Sequence, residues 1–140
     1  MDYVLHAESG YINFSPVGFK LVARDFRRCA DTFKPLKFSI VPYFLYCRAI
    51  ELGLKAIHLE TRKQQDVRHE YGHNLISLYK ALPPERQTLS SADSDLLAQT
   101  SRLYERKAFE YQQPGDAVHG YCDFPELERL ARLATIFAAE

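Results

Sequence analysis

The stretch from Pro42 to Arg62 constrains the fold more than any other part of the chain. Wound as a helix at about 100° per residue, it places Tyr43, Cys47, Ile50, Leu54 and Ile57 in one apolar stripe. Leu45, Ala49, Leu52, Ala56 and Leu59 fall in a second, and Tyr46, Gly53 and Glu60 occupy the gap between them. Only a narrow strip is polar: Arg48, Glu51, Lys55, His58 and Arg62. A helix apolar around most of its girth must be packed from two sides, which makes this segment, about 40–62, a central helix. Pro42 near its start is compatible with a first turn that has no use for the missing N–H. Gly53 at mid-helix costs about 1 kcal/mol of propensity against Ala, so another backbone is expected to cross close to it.

The rest of the chain reads as helices on either side of this one. Ser15 and Pro16 form a helix start. Phe19, Val22, Phe26, Cys29 and Phe33 then recur at helical spacing over about 16–34, with Lys20, Arg24, Arg27 and Arg28 on the other side, as a solvated face or, in the sharper reading, a phosphate-facing patch. Pro35 breaks that helix. After the central helix, 63–72 is polar, and His73 to Leu82 resumes helical spacing until Pro83 and Pro84 stop it. Ser90, Ser91 and Asp93 offer caps for a helix over about 92–111, with Leu96, Leu97, Thr100, Leu103 and Tyr104 on its buried side. Asp123 and Glu126 have capping-box spacing for a last helix, Pro125 to about Ala138. The expectation is one all-α domain over 1–140, a compact up-and-down bundle of about five helices, with 1–14 left as an N-terminal arm.

Bulk numbers exclude some functions. With 18 basic and 18 acidic residues, no global field recruits nucleic acid, so any such site must be a local basic patch. No apolar run approaches the roughly 20 residues of a membrane span. Cys29, Cys47 and Cys122 show no paired spacing, and the first two sit at apolar helical positions, which predicts reduced, buried thiols and a cytoplasmic protein.

Chemistry concentrates in Asp66-Val67-Arg68-His69-Glu70-Tyr71-Gly72-His73-Asn74-Leu75. His69-Glu70-Tyr71-Gly72-His73 satisfies His-Glu-x-x-His, the spacing by which two histidines on one helical face grip zinc. Gly72 inside the ligand turn and the lack of a well-spaced third ligand, with only Glu85 or His119 on offer, weigh against it, and neither metal nor cofactor is expected. Arg68 and His73 also form Arg-x4-His, with His69 directly after the arginine. In that reading His73 takes the proton of a ribose 2′-OH and Arg68 stabilises charge on the phosphorane, without a metal. Residues five apart on a continuous helix lie about 140° apart, so the pair converges only across a break, which Gly72 can supply. The bland reading makes His73 or Asn74 a helix cap and the neighbouring charges solvated.

Two motifs point further. Glu51-Leu52-Gly53-Leu54-Lys55-Ala56, followed by Gly72-His73-Asn74-Leu75, resembles the HEPN family, whose pattern is Glu-Leu-x-Leu-Lys-Ala on a central helix and Gly-His-Asp-Leu opening the next. Arg106-Lys107-Ala108-Phe109-Glu110-Tyr111 is similar to a late aromatic segment of that family. Asn74 replaces the usual Asp and keeps its capping oxygen. The resemblance implies a helical bundle, commonly a homodimer, of a toxin–antitoxin, defence or RNA-processing system. An RNA or nucleotide is then the implied ligand, and an antitoxin or nucleotidyltransferase-like protein the implied partner. Its ribonuclease branch uses Arg-x4–6-His at the mouth of a dimer cleft, which Arg68 and His73 match. Arg48, Glu51, Lys55, Arg62, His69, Arg106 and Tyr111 are the accompanying anion-binding candidates. The alternatives are a non-catalytic protein-interaction module and, more remotely, the zinc hydrolase.

Overall fold

Helix α1, Pro16–Thr32, begins where Ser15 accepts a hydrogen bond from the Gly18 N–H at 3.1 Å. A computed structural model describes residues 15–109 and 123–140. Helix α2, Val41–His58, follows, then α3, Gln64–Tyr71, and α4, Leu75–Lys80. A short 3₁₀ turn, Pro84–Arg86, leads to α5, Ser91–Glu105, and the chain closes with α6, Leu127–Phe137. All regular structure among the described residues is helical, as the periodicity predicts, and no described helix is long and apolar enough to cross a membrane.

Helix α2 is the centre of the bundle. Tyr43, Cys47, Ile50 and Leu54 join the larger core, against Leu75, Leu78 and Tyr79 of α4, Leu97 and Leu103 of α5, and Leu130 and Leu133 of α6. Ala49 and Leu52 join a smaller cluster with Ala23 of α1 and Ala138, flanked by Phe19 and Phe26. The second stripe is thus shared: Ala49 and Leu52 face α1, whereas Leu45 and Leu59 pack against the larger core with the first stripe. Between the stripes the expected crossing is present: a Cβ on Gly53 would lie 2.1 Å from the carbonyl oxygen of Phe137. Only a residue without a side chain lets the end of α6 lie on α2 here.

Several expectations need correction. The buried line of α1 is Ala23, Arg27 and Ala30, whereas Val22, Cys29 and Phe33 are exposed. Small residues win because they let α1 lie close against α2. Arg27 is no solvated charge: its Nε donates to the Ala138 carbonyl at 2.6 Å and its Nη1 to Asp31 at 2.7 Å. Of the two described cysteines, Cys47 is buried and Cys29 is not. The polar segment 63–72 contains a helix, α3, held by Val67, its single buried residue. Helix α4 starts at Leu75, with Asn74 as cap accepting from the Ser77 N–H at 3.0 Å, so His73 lies outside both helices. Ser90 caps α5, which ends at Glu105 rather than near 111. Helix α6 starts at Leu127 without a side-chain cap, so the capping box at Asp123 and Glu126 does not form. Residues 1–14, Tyr111, His119 and Cys122 lie outside the described residues.

Candidate functional site

The site grows from one buried carboxylate. The Glu51 side chain has no solvent exposure, although it belongs to the polar strip of α2. Burying a lone carboxylate costs several kcal/mol unless other groups compensate it. Here every lone-pair position is used. Oε2 accepts from Arg48 Nη1 at 2.7 Å and from Lys55 Nζ at 3.0 Å, one helical turn to either side. Oε1 accepts from His73 Nδ1 at 2.8 Å and from the Tyr104 hydroxyl at 2.9 Å. A carboxylate has about four acceptor sites, so Glu51 is saturated and has nothing left for a ligand.

The electrostatics follow from this geometry. Burial alone would raise the Glu51 pKa, but Lys55, His73 and Arg48 together outweigh it and hold the carboxyl below its ordinary value. Burial and the Glu51 charge push Tyr104 the other way, well above the usual phenol, so it remains a donor. Burial, with the same charge adding to it, raises the Cys47 thiol well above its ordinary value, which makes it an inert core group.

An ionised carboxylate only accepts, so His73 Nδ1 must carry a hydrogen. In the neutral imidazole that leaves Nε2 as a proton acceptor. The His73 side chain is 66% exposed, anchored at one nitrogen and open elsewhere. The anchorage depends on the break between α3 and α4. Gly72 ends α3 with φ of 53°, a left-handed conformation that favours glycine, and turns the chain so that His73 reaches Glu51. No atom lies within 4 Å of a Cβ built on Gly72, so the requirement is conformational rather than steric.

His73 stands at the edge of a cleft of about 550 Å³ between α1, α2 and α3. Its charged lining is Arg48, Lys55 and Arg68 against Glu51 alone. Phe19, Val22 and Phe26 of α1 and Leu52, Leu59 and Val67 form an apolar wall. The Arg48 guanidinium lies 6.0 Å from the centre of the Phe26 ring and so links the two halves. Arg48 and His73 also border a second hollow of about 330 Å³, with Phe44, Tyr104 and Lys107.

Of the residues singled out in the sequence, Arg48, Glu51, Lys55, Arg68 and His73 come together here. Arg62 does not; it donates to the Tyr71 hydroxyl at 3.0 Å and pairs with Glu70. His58, also on the polar strip, is buried with Nε2 2.8 Å from the Leu78 carbonyl. His69 is exposed and outside the cleft lining, and Arg106 is the exposed C-cap of α5. Because α3 ends at Tyr71, His69 and His73 do not share the helical face that zinc ligation by His-Glu-x-x-His needs. Among the described residues no three His, Cys, Asp or Glu side chains gather. Phe109 is buried and stacks on Tyr43 with ring centres 5.4 Å apart, so it serves the core rather than a ligand.

Sequence reasoning missed two contributors. Tyr104 reads as a core aromatic, and its hydroxyl carries no signal that it will meet residue 51. Phe19, Val22 and Phe26 read as the buried stripe of α1, but they form the cleft wall. No family model, no curated protein and no solved structure matches the chain.

Proposed function

We propose that this chain is an HEPN-like, RNA-directed module whose cleft binds a phosphodiester and cleaves it without a metal. One observation carries the reading: His73 is hydrogen-bonded through Nδ1 to a fully buried, ionised Glu51, in a cleft whose other charged groups are cations. The carboxylate fixes the tautomer, so Nε2 takes the proton of the ribose 2′-OH as that oxygen attacks phosphorus; the P–O5′ bond breaks and the departing 5′-oxygen takes a proton from water. Arg68, with Arg48 and Lys55 behind it, stabilises the charge that develops on the phosphorane. The aromatic wall of Phe19 and Phe26 suits a base next to the phosphate, and base–aromatic stacking contributes about 1–3 kcal/mol per base. Two hollows meeting at Arg48 and His73 suit a strand that passes across them.

The test is cleavage of end-labelled RNA in the presence of a chelator. The wild-type chain is expected to leave 2′,3′-cyclic phosphate ends, His73→Ala to abolish cleavage, and Arg68→Ala to slow it about 10²-fold or more. RNA that is neither bound nor cut sinks the reading. RNA that is bound and left intact converts it to the second reading, a non-catalytic interaction module.

A separate observation favours that second reading. Phe33, Leu36, Phe38 and Val41 form an apolar strip along the α1–α2 connection, with Leu36 fully exposed. Such a strip suits a protein surface, and we assign it to a second copy of the chain or an antitoxin-like partner. Light scattering on the wild type and on Leu36→Asp measures the first of these: a dimer that dissociates in the variant supports it.

A further inference from the structure

The other side of the α1–α2 pair carries a second hollow, of about 440 Å³. The helical wheel separates the two. On α2 the cleft takes Arg48, Leu52 and Lys55, whereas this hollow takes Gly53 and Ile57, about 150° away at 100° per residue. Its rim holds Val17 and Leu21 of α1 and Ile136 of α6, which are 63%, 46% and 49% exposed. Three cations line it, Lys20, Arg24 and Arg86.

The charges are poorly matched within the chain. The acid of the lining, Glu140, is already engaged by Arg27 at 3.0 Å and by Arg28. Arg86 pairs with Glu60 at 3.1 Å. Arg24 reaches only its neighbour Asp25, loosely, at 3.6 Å. Its Nε is the one buried side-chain nitrogen or oxygen without a hydrogen-bond partner among the described residues. An unsatisfied buried donor is costly and rare in native proteins, which marks Arg24 as the least compensated cation of the hollow.

We propose that this hollow binds a small amphiphilic anion, an oxyanion headgroup on an alkyl body. The headgroup, a carboxylate or a phosphate, pairs with the guanidinium of Arg24 and with Lys20. The alkyl chain lies over Val17, Leu21 and Ile136. The walls are aliphatic apart from Phe137, so an alkyl body fits them better than a stacked base does. The site is independent of the cleft and of its chemistry.

Three probes test this on the full chain, each below its micelle-forming concentration: decanoate, decyl phosphate and decanol. Calorimetry is expected to give one site per chain for both anions and at least tenfold weaker binding of the alcohol. Methyl signals of Val17, Leu21 and Ile136 are expected to shift on titration. Arg24→Gln weakens both anions about tenfold and leaves the alcohol unchanged. Lys20→Gln, at an exposed position that does not threaten folding, weakens them less. Decanol matching the anions, an Arg24→Gln variant that binds normally, or shifts that gather on Phe19 and Phe26 of the cleft would each overturn the proposal. Preference for one anion over the other distinguishes a phosphate ligand from a carboxylate.

Discussion

Glu51 and Gly53 stand two residues apart on α2 and are both buried, yet they are buried by opposite means. Glu51 is a full charge admitted to the interior because four donors from three parts of the chain reach it. Gly53 is a bare backbone position admitted because the end of α6 leaves no room for even a methyl group. One face is specified by hydrogen-bond saturation and the other by the absence of volume. The polar face borders the cleft and the close-packed face lies under the end of α6. Damage to the buried carboxylate of the first should alter function and stability together. Damage to the second should alter stability alone.

The comparison can be broken from either side. The largest expected effect is Glu51→Gln, which leaves Arg48 and Lys55 without their counter-charge and His73 without its anchor. Removing one member of a buried ionic cluster costs about 3–5 kcal/mol, measurable as a lower urea midpoint at unchanged slope. Tyr104→Phe removes one donor to a charged acceptor and is expected to cost about 1.5–3 kcal/mol in the same assay. Gly53→Ala gains about 1 kcal/mol of helix propensity but forces α6 away, so a net loss of about 1–2 kcal/mol is expected, with RNA cleavage retained. A Gly53→Ala variant more stable than wild type would show that the crossing is looser than 2.1 Å implies. The smallest stability change is expected for His73→Ala, under about 1 kcal/mol, because that side chain is mostly exposed; its cleavage nevertheless falls to background.

Acid sharpens the same contrast. The Glu51 carboxyl sits below its ordinary value in the folded chain, so the unfolded chain takes up the proton first. The stability it contributes is therefore complete above the unfolded carboxyl pKa, about 4.3, and is lost as pH falls through the lower folded value. Chemical denaturation of wild type and Glu51→Gln across that range should show the two curves converging at the acid end. Parallel curves would mean that the cluster does not hold the carboxyl ionised.

Much of this architecture was legible in the residues. The two stripes of α2, the caps at Ser15 and Ser90, and the chain crossing at Gly53 follow from periodicity, propensity and the absence of a Cβ. So does the break at Gly72, because glycine disfavours a continuous helix there. The failures have two causes. Helix α1 carries its phenylalanines and alanines on adjacent lines of one broad face, and the larger side chains suggest the centre of the buried face. Close helix packing selects the alanines, and Phe19, Val22 and Phe26 are left to wall a cleft. Helix α3 is mostly polar, and a single buried valine with a glycine stop is too little for a periodicity argument.

The sequence by itself determined that the chain is helical, where most of its helices lie and which helix is at the centre, because those properties depend on neighbours three to seven residues away. Tertiary structure alone decided that Glu51 is buried rather than solvated, that Tyr104 completes its shell, and that Arg62 and His69 stay outside the cleft. Those outcomes depend on contacts between positions as far apart as 51 and 104. No local pattern specifies such contacts, since the cost of burying a charge is offset only where the folded chain brings the donors together.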